Sequence, residues 1–214
     1  MKILVLSDNE DPYLWDYYTK GRLDEYDLIL SAGDLKAEYL SFLVTMAHVP
    51  VFYVHGNHDT DYEKNPPEGC DCIEDRLIVY KGLRILGLGG CAKYKEAAFQ
   101  YTEREMKKRI RRLFWKLRKA GGVDIVLSHV PPKGFEDMTD YAHRGFASFL
   151  TLIDKWHPSF WIHGHTHLNY GASRAHEYHG TQIINAWQKY VIEAEPDQGT
   201  EQIYQKKRLK KMRI

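Results

Sequence analysis

Residues 50–59, PVFYVHGNHD, show how this chain is organised. An apolar run with aromatic and β-branched residues, typical of a buried strand, ends abruptly in glycine, asparagine, histidine and aspartate. The N-terminal stretch ILVLSDNED, residues 3–11, repeats the pattern, with Asp8, Glu10 and Asp11 after the apolar part. Carboxylates this close repel one another and lose hydration when they are buried. Either water covers all of them, or a positive charge holds them in place.

Other apolar runs of similar length recur along the chain and also end in polar residues. They are DLILSAGD at 27–34, LRILGLGG at 83–90, VDIVLSHVPP at 123–132 and SFWIHGHTH at 159–167; HEYHGTQIINA at 176–186 and KYVIEAE at 189–195 look like further strands. Helices are expected at 37–48, at 102–120 and at about 145–155. In the second, Met106, Leu113 and Leu117 recur at helical spacing, and Gly121 supplies a stop. This alternation indicates an α/β fold.

Length and composition favour one soluble domain. The 214 residues are 43% hydrophobic and 28% charged, and no apolar stretch approaches the ~20 residues that span a bilayer. The N-terminal apolar segment is too short for a signal-peptide core, so we expect a cytoplasmic protein with no membrane partner. We expect a single domain over residues 1–200, followed by a basic tail over 201–214. The sequence does not specify an oligomeric state.

Cysteines and charge leave alternatives open. Cys70 and Cys72 are separated by one residue, closer than in usual structural zinc sites, so two loop thiols are favoured over a zinc knuckle; Cys91 stands apart. The formal net charge is +1, but residues 104–119 and the tail from Lys206 are strongly basic. Such segments bind nucleic-acid backbones or form solvated faces.

Oxygen and imidazole donors follow five of the apolar runs. They are Asp8, Asp34, Asn57, His129, and the pair His165 and His167. Carboxyl ends of sheet strands are where α/β folds place their sites, and this donor mixture suits Mn²⁺, Fe or Zn²⁺. There are enough donors for two ions that share one carboxylate. Metal would then hold the acids together.

The motifs SDNE, GDL, GNHD, SHVPP and GHTH, in that order, resemble those of the calcineurin-like metallophosphoesterase superfamily. The resemblance extends from Asp8 to His167. It implies a four-layer α/β/β/α sandwich with a dinuclear metal site at the strand ends. By position in the motifs, Asp8 and His167 would bind one ion; Asn57, His129 and His165 would bind the other. Asp34 would bridge the two ions.

The resemblance also assigns the catalytic residues and the reaction. His58 would serve the leaving-group oxygen, and Asp59 would orient His58. The implied reaction is phosphoester hydrolysis by a metal-bridging hydroxide, with two divalent ions as cofactors. Mn²⁺ is the expected ion, and Fe, Mg²⁺ and Zn²⁺ are the alternatives. A small phosphoester is the expected substrate. A diester is favoured over a monoester because the sequence shows no dense set of cationic residues for a pocket.

Glu10 departs from the family pattern, which has histidine at this position. Glutamate brings a hard anionic oxygen in place of a neutral nitrogen, which favours Mn²⁺ or Mg²⁺ over zinc. Ligation by Glu10 is the favoured interpretation. The alternatives are that Glu10 hydrogen-bonds a metal-bound water, or that Asp11 takes part instead.

Candidates to line the substrate pocket are Lys93, Tyr94, His143 and Arg144, and Trp187 would stack a base or cap the core.

Two competing functions remain for this sequence. One is a nuclease or other nucleic-acid phosphoesterase that binds its substrate with the basic helix and tail. Another is a non-catalytic interaction module on the same fold.

Overall fold

The computed structural model describes residues 1–135, 143–167 and 173–196. Its strands are β1 Lys2–Ser7, β2 Leu28–Ser31, β3 Val51–Tyr53, β4 Asp71–Cys72, β5 Leu77–Tyr80, β6 Leu83–Leu88, β7 Cys91–Ala92, β8 Gln100–Tyr101, β9 Ile125–Ser128, β10 Phe160–His163, β11 Ala175–Tyr178, β12 Thr181–Asn185 and β13 Gln188–Glu193. The α-helices are α1 Ala37–Ala47, α2 Glu103–Ala120 and α3 Ala147–Trp156, and short 3₁₀ helices cover Pro12–Leu14 and Asp59–Glu63.

Two large sheets contain most of the strands. The first has the order β13-β1-β2-β3-β4, with β13 antiparallel to β1 and the other pairs parallel. The second has the order β11-β12-β10-β9-β6-β5, with antiparallel pairs at both edges and parallel pairs between them. Strands β7 and β8 form a separate small pair.

Alternate residues of the central strands face different layers. Ile3 and Val5 of β1 pack against residues of the second sheet such as Ile125 and Leu127, which places one core between the sheets. The neighbouring residue Leu4 faces α1 instead. The second sheet packs its outer face on α2 and α3, with Trp161 among the buried residues. This arrangement confirms the predicted four-layer α/β/β/α sandwich.

The three predicted helices are present with small changes at their ends. Thr102 precedes α2 as its N-cap and forms a capping box with Glu105, while Gly121 ends the helix with φ 79°. Both features satisfy backbone groups that a helix end leaves unpaired. His48 ends α1 with a left-handed φ of 54°, so the helix stops one residue earlier than predicted. The third helix begins two residues later than predicted.

The strand predictions were less complete. Residues 176–186 were read as one strand, but they form most of the hairpin β11–β12, with His179 and Gly180 at its turn. Strands β4, β5, β7 and β8 were not predicted from the sequence. The predicted tail over 201–214 lies outside the described residues. Within the described ranges, no helix has the length and apolarity needed to cross a bilayer.

Candidate metal centre

The predicted ligands lie where parallel strands of the two sheets end. Asp8 directly follows β1 and His129 directly follows β9, while Asp34, Asn57 and His165 lie a few residues beyond β2, β3 and β10. The backbone is left-handed at three of them, with φ of 62° at Asp8, 57° at Asp34 and 66° at His165. Non-glycine residues seldom adopt this conformation, and such strain concentrates at functional sites.

His129 is the fully buried centre of the cluster. Its Nε2 lies 3.1 Å from Asn57 Oδ1, 3.3 Å from Asp34 Oδ2 and 3.1 Å from His165 Nδ1. Its Nδ1 lies 2.8 Å from the carbonyl oxygen of Ala32. Because a carbonyl oxygen can only accept, Nδ1 carries the hydrogen, and Nε2 is the ring nitrogen left to hold a proton or a metal ion.

The atoms that surround His129 Nε2 are electron-pair donors as well. One donor atom each from Asp34, His129 and His165 lies within 4.8 Å of the other two. Buried lone pairs that face one another are unfavourable unless a proton or a metal cation lies between them. Carboxylate and imidazole donors together suit divalent ions such as Mn²⁺, Fe²⁺ and Zn²⁺. These residues therefore fit a divalent metal ion at this point.

Asp34 and His129 stabilise each other in their charged forms. Burial alone would raise the pKa of Asp34, but the neighbouring His129 and the backbone N–H of His58 lower it to about 2. Burial would likewise lower the pKa of His129, but Asp34, and then Asp8, raise it to about 9. Opposite charges at this distance favour ionisation of both groups. A cation bound here would take over the neutralising role of the imidazolium.

Asp8 is connected to the cluster through the backbone of His165. The N–H of His165 donates to Asp8 Oδ2 at 2.8 Å. Burial raises the pKa of Asp8, and the charge of His129 opposes that rise. A Cβ on Gly164 would lie 2.3 Å from both Asp8 Oδ2 and Ser7 Oγ. The glycine of the GHTH motif is therefore required by the close approach of the Asp8 carboxylate.

Asp59 ties together the loops that follow β2 and β3. Its Oδ2 accepts from the backbone N–H of Asp34 at 2.9 Å and of Gly56 at 2.7 Å. Burial, followed by the nearby charge of Asp34, raises the pKa of Asp59 to about 6. No hydrogen bond joins Asp59 to the side chain of His58 among the described residues. The role of Asp59 in orienting His58 stays a prediction.

The Asp34 side chain is also held by the loop that follows β3. Its Oδ1 accepts from the backbone N–H of His58 at 2.8 Å. A Cβ on Gly56 would lie 2.0 Å from this oxygen, which leaves no room for a side chain at that position. The GNHD motif thus contributes more than the predicted ligand Asn57, because its glycine and its last two residues position Asp34.

Glu10 and Asp11 have separate partners. Glu10 Oε1 accepts from the backbone N–H of Lys36 at 3.0 Å, immediately before α1. Asp11 Oδ1 accepts from the backbone N–H of Tyr13 at 2.8 Å, and its Oδ2 pairs with Lys189 Nζ at 2.5 Å. Asp11 is buried by these contacts. Its carboxylate therefore has a structural role in the first loop.

A cavity of about 290 Å³ opens beside Asp34 and contains the exposed side chain of His58. It is lined by Glu10, Asp34, Leu35, Lys36, Ala37, Glu38, His58, Asp59, Asp61 and Tyr62. Glu10 and Asp34 thus face the same cavity although no hydrogen bond joins them. Five carboxyl groups line this space against one lysine and one histidine.

Comparisons with known proteins identify the family. The sequence profile of the calcineurin-like phosphoesterases matches residues 1–169. The chain belongs to this family. UPF0046 protein T07D4.2 of Caenorhabditis elegans is 33% identical over 105 residues, which cover 47% of this chain and 25% of that protein. The chain therefore matches only about a quarter of the length of this relative.

Solved structures share the fold of this chain. TT1561 of Thermus thermophilus superposes with a TM-score of 0.57 at 17% identity, covering 87% of this chain and 88% of that one. A putative 5'-nucleotidase from Staphylococcus aureus gives a TM-score of 0.54 at 12% identity, covering 91% of this chain and 51% of that one. The family implies a metal-dependent phosphoester hydrolase and divalent metal ions.

The remaining predicted site residues lie at different distances from His129 and His165. The His143 ring lies 4.9 Å from the His165 ring, measured between centroids. His167 is exposed, and its ring centroid lies 6.3 Å from that of Trp187. Arg144 is exposed one residue beyond His143. These contacts place His143 and Trp187 beside predicted metal ligands.

Lys93 and Tyr94 lie in the connection between β7 and β8. Lys93 Nζ pairs with Glu96 at 2.7 Å, and the Tyr94 ring packs 5.4 Å from Lys95 Nζ. No contact among the described residues brings either side chain to His129. Their predicted role in substrate binding stays a prediction.

The contributions of Glu38 and Asp61 to the acidic cavity were not predicted from the sequence. The position of Glu38 could have been inferred, because the first turn of the helix predicted at 37–48 comes just after the GDL motif. Asp61 lies two residues after the GNHD motif, in a 3₁₀ helix that no sequence pattern indicated. The backbone contacts of Asp59 were missed because they join loops that only the folded chain brings together.

We predict that Gly56→Ala will weaken Mn²⁺ binding by about 10–100-fold, the usual effect of disturbing groups that position ligands. The added Cβ would displace the Asp34 carboxylate. Isothermal titration calorimetry of the chelator-treated protein measures this effect.

Gly180→Ala is the matched control. Its added Cβ would meet nothing within 4 Å, and its φ of +80° makes an alanine there strained. It should cost about 1–2 kcal/mol of stability and leave metal binding unchanged. Equal metal affinities in both variants would contradict the positioning role of Gly56.

Proposed function

We propose that this protein is a phosphodiesterase that uses two divalent metal ions, with Mn²⁺ as the preferred ion. The observation that carries the proposal is the convergence of Asp34, His129 and His165 at the end of the parallel strands, beside an open cavity. Asp34, Asn57, His129 and His165 would hold one ion. Asp8 and His167 would hold the second, with Asp34 shared between the two.

Bound divalent ions supply a water of lowered pKa and neutralise charge on the phosphoryl oxygens. The chain itself supplies orientation and a proton. His58 faces the cavity, and the hydrogen bond from its backbone N–H to Asp34 Oδ1 fixes the position of its backbone beside the cavity. A ring nitrogen of His58 would donate a proton to the leaving ester oxygen, as general acids do. Asp59 holds the Asp34 and Gly56 backbones in register during this step.

The charge of the cavity supports a diester over a monoester. Glu10, Glu38 and Asp61 line it together with the more buried Asp34 and Asp59, and Lys36 is its only lysine among the described lining residues. A phosphate monoester carries two negative charges near neutral pH and a diester carries one. Carboxylates at the cavity wall therefore oppose binding of the monoester more strongly.

The first prediction concerns activity and the bridging carboxylate. Chelator-treated protein should regain hydrolysis of a chromogenic phosphodiester with Mn²⁺, and less with Mg²⁺ or Zn²⁺. Asp34→Asn should lower kcat/KM by about 10²–10³-fold, since several kcal/mol of charge stabilisation depend on the ions it holds. Asp154→Asn, at an exposed carboxylate paired with His179, is the control and should retain activity. Full activity of Asp34→Asn, or no hydrolysis with any of these ions, would refute the proposal.

The second prediction concerns the acidic wall of the cavity. The double variant Glu38→Gln, Asp61→Asn removes two exposed charges that are not predicted ligands. It should raise kcat/KM for a phosphate monoester by about 5- to 30-fold more than for a diester, because each removed carboxylate repels the extra charge by up to about 1 kcal/mol in water. Glu63→Gln, on the same 3₁₀ helix but outside the cavity lining, is the control. Equal changes for both substrates would contradict selection by charge.

A nucleic-acid partner is the second candidate, supported by a groove between α2 and α3. The groove encloses about 630 Å³ and is lined by Phe114, Trp115 and Trp156, with Lys107, Arg111 and Lys155 beside them. The Trp115 side chain is 72% exposed. Aromatic side chains with surrounding cations form the usual platform for single-stranded nucleic acid.

Glu103, the one acid among the described residues that line the groove, already accepts hydrogen bonds. Both carboxylate oxygens of Glu103 accept backbone N–H groups, from Ala147 at 3.0 Å and from Ser148 at 2.8 Å. Its charge thus stabilises the start of α3, where the helix dipole favours an anion. The cations of the groove are left to attract a phosphate backbone. Single-stranded RNA or DNA is therefore the partner that we propose for this groove.

Binding of a labelled single-stranded oligonucleotide, followed by fluorescence anisotropy, tests this partner. Trp115→Ala should weaken binding about tenfold, within the range of about 1–3 kcal/mol per stacked base. Tyr17→Ala, which removes an aromatic ring of similar exposure elsewhere, should leave binding unchanged. Affinity should fall steeply with salt. Binding that is insensitive to salt and to Trp115→Ala would exclude the groove as a nucleic-acid site.

A further inference from the structure

A second cluster of metal-binding atoms lies outside the centre described above. It consists of His55 Nδ1, Cys72 Sγ and Glu74 Oε2, which all lie within 4.8 Å of one another. His55 Nδ1 is 2.5 Å from Glu74 Oε2 and 4.0 Å from Cys72 Sγ. We call these three residues the His55 cluster. A thiol, an imidazole and a carboxylate thus converge on one point.

The cluster lies at the edge of the first sheet. His55 comes two residues after β3, Cys72 ends β4, and Glu74 lies in the connection from β4 to β5. The register of the parallel pair aligns Tyr53 with Cys72, which brings the residues beyond each strand side by side. The side chains of His55 and Glu74 are 15% and 13% exposed. An ion can therefore reach the cluster from solvent, and water can complete its coordination.

Neighbouring side chains hold the members of the cluster in place. The His55 ring stacks on Phe99 with centroids 4.2 Å apart and planes 4° from parallel. The second oxygen of Glu74 accepts from Arg109 at 2.7 Å and from the Tyr101 hydroxyl at 3.4 Å. Carboxylates that ligate metals are commonly held by outer hydrogen bonds of this kind. Oε2 of Glu74 is thereby directed towards His55.

We propose that the His55 cluster binds one thiophilic divalent cation, with Zn²⁺ as the best fit. Thiolate and imidazole ligands favour zinc among the divalent ions, and three protein ligands plus water is a common zinc arrangement. The Cys72 thiolate and the Glu74 carboxylate would together balance the two charges of the ion. The proposal does not depend on the phosphodiesterase function proposed above.

The distances are close to those that zinc needs. Tetrahedral coordination with bonds of about 2.0–2.3 Å separates ligand atoms by about 3.3–3.7 Å. The sulfur of Cys72 would move a few tenths of an ångström inward, and His55 Nδ1 and Glu74 Oε2 would separate by about 1 Å. Gly89 leaves space for this adjustment, because a Cβ there would lie 2.9 Å from Glu74 Oε2.

The two neighbouring cysteines have different surroundings. Cys70 Sγ faces the carbonyl oxygens of Leu40 and Glu68, at 3.5 Å and 3.8 Å. Only Cys72 of the pair lies beside an imidazole, that of His55. The site is therefore different from a zinc knuckle built from both cysteines, which the sequence analysis disfavoured. Cys70 instead provides a matched control for any experiment on Cys72.

Zinc at this cluster would stiffen the loop that carries the metal centre. His55 directly precedes Gly56 and Asn57, and its carbonyl oxygen accepts from the backbone N–H of Gly90 at 2.7 Å. A zinc ion ligated by His55, Cys72 and Glu74 would link the loop after β3 to β4 and to the connection after it. Zinc should therefore raise the melting temperature of the protein as well as bind to it.

Cobalt substitution provides a test that the metal centre cannot imitate, since none of its predicted ligands carries sulfur. Titration of the chelator-treated full chain with Co²⁺ should produce a near-ultraviolet thiolate-to-cobalt charge-transfer band. Cys72→Ser should abolish the band, while Cys70→Ser should retain it. Asp34→Asn should also retain it, which separates failure of this site from failure of the phosphodiesterase. Bound zinc should fall by one ion per chain in Cys72→Ser and stay unchanged in Cys70→Ser.

Alkylation provides a second measurement on the unchanged protein. Zn²⁺ should slow the modification of Cys72 by iodoacetamide at least about tenfold, because a coordinated thiolate is a poor nucleophile, and should leave Cys70 unaffected. Mass spectrometry of the digested protein measures both rates. A wild-type protein without the cobalt band and without zinc protection would show that the contact is an ion pair of His55 and Glu74 only. A band that survives in Cys72→Ser would equally overturn the proposal.

Discussion

The contact between the buried Asp34 carboxylate and the His129 imidazole is the interaction on which the rest of the site depends. A carboxylate at this depth is costly unless a positive group lies beside it. His129 supplies that group, and its own position is fixed by the carbonyl oxygen of Ala32. Asp59 and the backbone of His58 then hold Asp34 from the other direction. The strained backbone of Asp34 persists because these contacts together outweigh its cost.

The layered architecture explains why the polar residues collect at one edge. Strands in the middle of both sheets are covered on both faces, so their sequences are nearly continuous apolar runs. Most of the polar side chains that follow these runs lie where the strands end. Because adjacent central strands are parallel, their carboxyl ends lie together, and the two sheets present them towards each other. The fold thereby brings the predicted metal ligands together at one edge of the two sheets.

Much of the fold and of the site could be predicted because the responsible signals are local. The capping box at Thr102 and the glycine at 121 mark the ends of α2 in the sequence itself. The predicted ligands could be identified because each lies within a few residues of the end of a recognisable apolar run. Strand β5 escaped prediction since none of its four residues is fully buried, and β4 is too short for a periodic pattern.

Contacts between distant segments could not be predicted, because only the folded chain brings the partners together. Asp59 bonds to a backbone amide twenty-five residues away in the chain. The proximity of His55 to Cys72 and Glu74 depends on the register between β3 and β4, which the sequence does not specify. The side chain of Glu10 likewise meets a backbone group of a different loop. Residue types at a site are therefore easier to predict than the bonds that orient them.

Glu10 illustrates how one substitution links local structure to substrate charge. Its Oε1 accepts from the Lys36 N–H just before α1, where the positive end of the helix dipole stabilises an anion. The carboxylate is thus anchored at the cavity wall by the helix, whether or not it binds metal. Only one oxygen is used in this bond, so the second remains available to a metal ion or to its water. In both cases the cavity gains a negative charge that a neutral histidine would not bring, and this charge disfavours a dianionic substrate more than a monoanionic one.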